Sequence, residues 1–247
     1  MGTATIQAIK RRVPYRLRDL LRPKWPSGAR SSLEATFSQT GEDRIVRHVF
    51  DVMGVPHPTY LDIGAFHPFT LSNTALFSLT GSTGINIEPD PRAYAAFLKH
   101  RPSDVNLNVG CAETAGTLPF YRMSAPTLST FDRASAESAS VESGGKFVIE
   151  SVERIEVRPV ADILIDVGWC PDFVSIDVEG LDLAILRTMP DWLDRPTVLC
   201  VESATYSEIG GSRKVPEVGA LARDLGYREF ADTWINTIFI RTDRWVH

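Results

Sequence analysis

Short apolar runs alternate with amphipathic stretches over most of this 247-residue chain. The runs are typical of buried strands, and their alternation with helical patterns is the signature of βαβ units around a parallel sheet. We therefore predict an α/β fold built on a doubly wound, Rossmann-like sheet. The core strands are predicted at residues 59–64, 83–89, 105–110, 173–180 and 196–204.

The remaining elements follow from helix end signals and from the pattern near the carboxyl terminus. Asp90 and Pro91 provide a cap and a first helical residue, and Gly226 is placed to end the last helix. The apolar runs at 228–234 and 237–243 predict an antiparallel hairpin. Helices are predicted at 40–53, 71–79, 91–100, 161–168, 182–189 and 216–226, and edge or insertion strands at 117–123 and 153–160.

Residues 124–151 differ in composition from their surroundings. They contain seven serines, two adjacent glycines and few large apolar side chains. A loop of this length inside a domain is usually either functional or disordered. We expect a lid over the mouth of an active site, with a plain surface insertion as the second interpretation.

Composition excludes a collagen-like, a fully disordered and a membrane-spanning protein. Hydrophobic residues make up 43% of the chain and charged residues 23%, which is typical of a globular domain with one core. No run of about 18 apolar residues and no secretory apolar region is present, so we expect a cytoplasmic protein. Cys111, Cys170 and Cys200 show neither a disulfide framework nor zinc-ligand spacing.

Charge divides the chain into a basic arm, residues 1–30, and a domain, residues 31–247. The arm has a net charge of +7, and the remaining 217 residues carry −12. A basic stretch with apolar residues near helical spacing fits peripheral contact with an anionic membrane face, but it also fits a solvated extension that docks on its own domain or on a second copy in a homo-oligomer. The acidic domain offers no basic groove, so nucleic acid is not an expected partner.

Acidic residues end four of the five predicted core strands: Asp62, Glu88, Asp177 and Glu202. In an open parallel sheet, ligands bind beyond the carboxyl ends of the strands. An acid at the end of the second strand is placed to accept hydrogen bonds from both hydroxyls of an adenosine ribose, as in dinucleotide folds. Glu88 therefore favours an adenosine-containing ligand; the alternative is that Asp62 and Glu88 are helix caps.

The turn after the first strand bears on which adenosine ligand fits. It has one glycine, Gly64, where a pyrophosphate needs several for close approach of the backbone. S-adenosylmethionine contains adenosine but no phosphate, so it tolerates this turn. Asp62 would receive its ammonium group, directly or through water.

At this point the chain resembles the FkbM-type family of S-adenosylmethionine-dependent methyltransferases. The resemblance covers about residues 37–242. It rests on SQTGED (38–43), YLDIGAFHPFTLSNT (60–74), GINIEPDP (84–91), TLSTFD (127–132) and FVSIDVEGLDLAIL (173–186).

The resemblance implies a seven-stranded methyltransferase sheet with an antiparallel last strand. It also implies O-methylation, commonly of a sugar hydroxyl in a glycan, glycolipid or natural product. Asp62, Gly64 and Glu88 carry over as cofactor residues, with Asn108 near the adenine. Further expected cofactor contacts are Ala65, Pro89 and Asp177 at the strand ends, and Ser72 and Asn73, which could line the methionine end or instead cap the first helix.

A sugar hydroxyl is a poor nucleophile at neutral pH, so its proton must be taken up as methyl transfer proceeds. We predict Asp177 as the base, with Glu179 on the same face of the strand and Glu202 at the end of the neighbouring strand. Two explanations of these three carboxylates stay open. Mutual repulsion could raise one pKa, or a divalent cation such as Mg²⁺ could bind all three.

Several other side chains are candidates for the site. His67 is a second candidate base, although a lone histidine is more often structural. Gln39 and Glu42 precede an amphipathic helix and could reach the acceptor. Trp192, Trp234 and Trp245 could offer a stacking face to a sugar, or could pack in the core.

The sequence thus predicts an S-adenosylmethionine-dependent O-methyltransferase with a saccharide or glycolipid acceptor. Two alternatives belong to other classes. One is a catalytically silent module that binds the cofactor or a glycan, and the other is a nicotinamide-dependent oxidoreductase on a similar sheet.

Overall fold

A seven-stranded sheet with helices on both faces organises the part of the chain that this computed structural model describes, residues 36–205 and 213–245. The basic arm and its predicted membrane contact lie outside the described residues. The strands are β1 (Tyr60–Ile63), β2 (Gly84–Ile87), β3 (Val105–Leu107), β4 (Gly110–Cys111), β5 (Gly116–Met123), β6 (Ile149–Arg158), β7 (Phe173–Ile176), β8 (Val198–Glu202), β9 (Ala204–Thr205), β10 (Arg213–Lys214), β11 (Tyr227–Asp232) and β12 (Asn236–Arg241). The α-helices are α1 (Glu42–Val52), α2 (Ala75–Leu79), α3 (Pro91–His100), α4 (Arg133–Glu142), α5 (Val160–Val167), α6 (Asp182–Arg187) and α7 (Pro216–Asp224).

The main sheet has the strand order β11-β12-β8-β7-β1-β2-β3. Strand β12 is antiparallel to both of its neighbours, and the central strands are parallel. This confirms the predicted doubly wound, Rossmann-like methyltransferase sheet with an antiparallel last strand. The order reverses between β1 and β7, so a ligand crevice is expected at the carboxyl ends of these two strands.

Alternation along each central strand builds a core on both faces of the sheet. Tyr60 and Phe173 pack on the face that carries α1, together with Phe50 and Phe77. Leu61, Ile63 and Val174 occupy the alternating positions on β1 and β7, and they pack on the opposite face with α5, α6 and α7. Both faces of the central strands are therefore apolar, as expected for buried parallel strands.

Two smaller sheets flank the main one. Strands β4, β6 and β5 form a three-stranded sheet, and β9 pairs with β10. The predicted strand 105–110 is split between two sheets, because the chain leaves the main sheet after Leu107. At this point the side-chain amide of Asn108 donates hydrogen bonds to the carbonyls of Glu88 and Pro89.

The serine-rich segment is more ordered than expected. It contains α4, which Asp132 caps by accepting from the N–H groups of Ala134 and Ser135. The helix buries only Ala136, so its sequence carries no apolar periodicity. Within the described part of the chain, no helix combines the length and apolarity needed to cross a bilayer.

Candidate active site

A cavity of about 460 Å³ opens at the carboxyl ends of β1, β2, β7 and β8. Its volume is in the range of small-molecule sites, about 300–1,000 Å³. Residues of the serine-rich segment and of the β11–β12 turn complete its wall. The predicted site residues on this wall are Gln39, Gly64, Glu88, Pro89, Asp177, Glu179 and Glu202.

Glu88 occupies the β2 side of the cavity. Its carboxylate accepts hydrogen bonds from the N–H groups of Phe66 and Asp90, each at 2.7 Å. Burial raises the pKa of Glu88 to about 7, against the opposing effect of these two hydrogen bonds. A carboxylate has about four acceptor positions, so the two that remain suit the paired hydroxyls of a ribose.

The three predicted catalytic acids converge on the other side of the switch point. One carboxylate oxygen from each of Asp177, Glu179 and Glu202 lies within 4.8 Å of the others. All three side chains are half-buried and line the cavity. The pairing of Phe173–Ile176 with Val198–Val201 explains the convergence, because it brings the ends of β7 and β8 side by side.

Burial and mutual repulsion both favour protonation of this group. The pKa of Asp177 rises to about 7 through burial and through the nearby charges of Asp182, Asp62 and Glu42. The pKa values of Glu179 and Glu202 lie well above their usual range, chiefly through burial and then through repulsion by Asp177. A carboxyl group that titrates near neutrality suits general base catalysis at physiological pH.

Asp182 shapes the loop that carries Glu179. Its carboxylate accepts from the N–H groups of Val178 at 3.0 Å and Gly180 at 3.2 Å. From the other side, the Thr130 hydroxyl donates to the Glu179 carbonyl at 2.8 Å. The loop is therefore fixed by the domain below it and by the serine-rich segment above it.

Left-handed backbone conformations concentrate at this cavity. In the described residues, four non-glycine residues have positive φ: Phe66 (54°), Leu71 (56°), Glu179 (53°) and Trp234 (76°). All four line the cavity. Such conformations are sparsely populated for bulky side chains and often mark functional sites.

Asp62 lies beneath the cavity rather than on its wall. It is 4% exposed and accepts a hydrogen bond of 2.6 Å from the Thr74 hydroxyl. The Thr74 hydroxyl in turn accepts from the Arg101 guanidinium at 2.8 Å, and Arg101 also donates to Ser72. The role of Asp62 in holding the cofactor ammonium group stays a prediction; in this arrangement it anchors the start of α2.

Three other predicted cofactor contacts make hydrogen bonds within the protein and are not part of the cavity wall. The Ser72 hydroxyl accepts from the Ala75 N–H at the start of α2, and the Asn73 amide donates to Ser175 at 3.0 Å. Ala65 is buried and its N–H bonds to the Ile87 carbonyl. Contacts of Ala65, Ser72, Asn73 and Asn108 with a cofactor stay predictions.

The two predicted acceptor residues separate. Gln39 lines the cavity, whereas Glu42 is fully buried. Burial alone would raise the Glu42 pKa, but hydrogen bonds from Thr40 and Thr233 lower it to about 2. Asn236 also donates to this carboxylate, at 3.1 Å. Glu42 thus ties α1 to the β11–β12 turn, and its contact with an acceptor stays a prediction.

His67 is engaged within its own loop. Its Nδ1 accepts from the N–H groups of Phe69 and Thr70, both at 3.1 Å. Burial and the nearby charges of His100 and Arg101 lower its pKa. Its role as base stays a prediction, and the position of Asp177 on the cavity wall favours the carboxylate.

Most of the apolar side chains on the cavity wall are not predicted by the sequence as site residues. The lid interpretation pointed to residues 124–151, and residues 125–131 and Phe147 do line the cavity; that they act as a lid stays a prediction. Phe66 and Leu71 lie within the motif 60–74, but the pattern of that motif does not indicate that their side chains face the cavity. The cavity therefore combines an apolar wall with acids on both sides of the switch point.

The raised pKa values predict a pH dependence of stability. Between the unfolded pKa of about 4 and the folded values of about 6–7, the folded protein holds protons that the unfolded chain releases. One carboxyl group whose pKa rises from about 4 to about 7 lowers the free energy of unfolding by about 2–3 kcal/mol between about pH 5 and about pH 7.5. Glu88, Asp177 and Asp182 together are therefore expected to lower that of the ligand-free protein by more than this amount. Urea unfolding at the two pH values measures it, and a flat or rising stability would contradict the assigned protonation states.

Comparisons with known proteins show the family of the chain and solved structures with a similar fold. Residues 62–229 match the model described as the methyltransferase FkbM domain. No curated protein matches the chain. The chain is also similar to the Burkholderia thailandensis 1,6-didemethyltoxoflavin-N1-methyltransferase, solved with bound 1,6-didemethyltoxoflavin and S-adenosylhomocysteine. That similarity has 11% sequence identity, covers 83% of this chain and 80% of the other, and has a TM-score of 0.42.

Proposed function

The chain belongs to the FkbM methyltransferase family, and from that premise we propose that it transfers the methyl group of S-adenosylmethionine to a hydroxyl group of a saccharide. The observation that carries the proposal is that Glu88 and the acids Asp177, Glu179 and Glu202 share one cavity. The first suits a ribose and the others suit removal of a proton from a hydroxyl. Family membership favours this chemistry over hydride transfer to a nicotinamide.

The strand order supports an assignment of the two ends of the cavity. From β2, which Glu88 directly follows, the sheet runs through β1, β7 and β8 to β12. Four spacings between neighbouring strands amount to about 19 Å. We assign the adenosine to the β2 end, the reacting methyl group to the region of Asp177, and the acceptor to the end formed by Glu202 and the β11–β12 turn.

In this arrangement the acceptor oxygen would attack the methyl carbon that the bound cofactor supplies. A C–O bond would form as the S–C bond breaks, and the electron pair of the broken bond would stay on sulfur. When bound, S-adenosylmethionine supplies an electrophilic methyl group, so the protein need only orient the acceptor and take its proton. Asp177 accepts that proton, and its pKa of about 7 leaves a useful fraction ionised at neutral pH.

A divalent cation is the second explanation of the acid group. Oxygen ligands on opposite sides of Mg²⁺ lie about 4 Å apart, slightly less than the 4.8 Å limit within which Asp177, Glu179 and Glu202 gather. These three residues would hold the ion, whose charge would lower the pKa of a bound hydroxyl. Chelation of divalent cations by EDTA distinguishes this explanation from mutual repulsion of the three carboxylates.

The test is incubation of the protein with methyl-labelled S-adenosylmethionine and fractionated glycans and glycolipids, with and without EDTA. Label in a saccharide fraction, at an oxygen, supports the proposal, and loss of transfer with EDTA selects the cation. If S-adenosylhomocysteine binds and no acceptor is methylated, the silent module is favoured instead. Calorimetry with NAD tests the oxidoreductase, since NAD binding without S-adenosylhomocysteine binding would overturn methyl transfer.

Glu88→Gln is expected to weaken S-adenosylhomocysteine binding about 10–100-fold. Hydrogen bonds to a charged group contribute about 1.5–3 kcal/mol, and the glutamine amide would turn a donor toward N–H groups or ribose hydroxyls. Isothermal titration calorimetry measures the change. Glu229→Gln, an exposed acid on β11, is the matched control and should bind like the wild type. Equal affinity for all three proteins would remove Glu88 from the nucleoside site.

The acceptor proposal extends to cellular context. A glycolipid acceptor would present its sugar at an anionic membrane face, where the +7 arm of residues 1–30 would be attracted. Cytoplasmic location, this peripheral contact and a homo-oligomer are parts of the proposal that rest on sequence alone.

A further inference from the structure

Trp234 stands out on the cavity wall because two features of its placement work against stability. Its side chain is 58% exposed, and its backbone is left-handed with φ of 76°. A bulky residue at such a φ is strained, and an exposed indole gains little from burial. Exposure and strain together distinguish Trp234 from the buried residues of the cavity wall.

The backbone on both sides of Trp234 is held in place. Its own N–H donates to Asp232 Oδ1 at 2.6 Å. The preceding Thr233 hydroxyl donates to the buried Glu42 at 2.7 Å, and the following Ile235 carbonyl accepts from the Ser203 N–H at 2.8 Å. The turn thus presents the indole in a defined position instead of leaving it on a free loop.

That position is at the acceptor end of the cavity. Trp234 lies in the β11–β12 turn, and Asn236 at the start of β12 pairs in register with Glu202 on β8. Glu88 directly follows β2, which is separated from β12 by β8, β7 and β1. A group bound against the indole is therefore beside the acid group and far from the nucleoside.

We propose that Trp234 is a specificity-determining residue whose indole stacks against a sugar ring of the acceptor. This inference rests on the proposed function. The C–H groups on one face of a pyranose carry partial positive charge, and they complement the negative face of an aromatic ring. Acceptors with such a face beside the methylated hydroxyl would be selected over small alcohols.

The test compares the wild type with Trp234→Gly and Trp234→Phe, using the acceptor fraction found by the labelling assay. Glycine tolerates the φ of 76°, so this variant removes the indole and the strain together. For Trp234→Gly we expect KM for the acceptor to rise about 10-fold, with the Kd of S-adenosylhomocysteine unchanged. Its Tm should stay within about 2–4 °C of the wild type, because the relief of strain offsets lost contacts of a side chain that is mostly exposed. Trp234→Phe keeps a ring and should recover most of the affinity.

Leu193→Ala is the matched control, since Leu193 is 52% exposed and is not part of the cavity wall. It should leave KM, Kd and Tm as they are. An unchanged acceptor KM in Trp234→Gly, or a lower Tm accompanied by loss of S-adenosylhomocysteine binding, would overturn the role of Trp234 alone. Absence of methyl transfer by the wild type to any saccharide would overturn the proposed function, and this inference with it.

Discussion

Asp177→Asn is expected to lower methyl transfer about 100–10,000-fold and, at about pH 8, to unfold at a higher urea concentration than the wild type. The first effect follows because asparagine cannot take the acceptor proton. The second follows because the substitution removes a charge that Asp182, Asp62 and Glu42 disfavour. The gain in the free energy of unfolding should be about 1–2 kcal/mol.

The two effects are measured on the same preparation, by label transfer and by urea unfolding. The difference in stability from the wild type should shrink toward about pH 5, where Asp177 is protonated in the folded state. Asp224→Asn, at an exposed acid on α7, is the control and should change neither quantity. Wild-type transfer by Asp177→Asn would move the base to another group, and Glu179→Gln, Glu202→Gln and His67→Ala would then be compared in the same assay.

The acids at the strand ends are the part of the candidate site that the sequence predicts best. Glu88, Asp177 and Glu202 line one cavity. The sequence predicts that they meet because βαβ topology aligns the carboxyl ends of parallel strands, a property that does not depend on packing detail. The family motifs pointed to the same edge. The local pattern and the global topology therefore agree at the site.

Side-chain direction was harder to predict. Asp62 also ends a strand, but alternation places it on the same face as Tyr60, toward α2, where Thr74 bonds it. The period of two along β1 is the signal that could have separated Asp62 from the cavity wall. The position of Asp62 near a strand end does not by itself indicate which face of the sheet its side chain is on.

Features set by tertiary contacts carry no local signal at all. The left-handed turn at Trp234 depends on Thr233 reaching Glu42, which lies 191 residues earlier in the chain. Helix α4 forms from a sequence that lacks an apolar stripe, because it buries only Ala136. Propensity and periodicity cannot identify elements whose position is decided by such distant partners.

Gly64→Ala is expected to destabilise the protein by about 3 kcal/mol or more, a fall in Tm of at least about 6–12 °C. A Cβ at this position would lie 1.9 Å from the Asp177 carbonyl oxygen, and the φ of 81° is unfavourable for any side chain. Relief of the clash requires β1 and β7 to separate at their carboxyl ends. Since those ends carry the two halves of the site, S-adenosylhomocysteine binding should weaken in the same variant.

Gly116→Ala is the matched control for this substitution. Its Cβ would meet nothing within 4 Å, and its φ is outside the left-handed region. Calorimetric unfolding of both variants, with and without S-adenosylhomocysteine, separates the effect of strain from the ordinary effect of adding a methyl group. A Gly64→Ala protein with wild-type Tm would mean that β1 and β7 do not approach this closely. The cavity, the convergence of Asp177 with Glu202, and the path from Glu88 to Trp234 all depend on that approach, so this single methyl group tests the geometry on which the site is built.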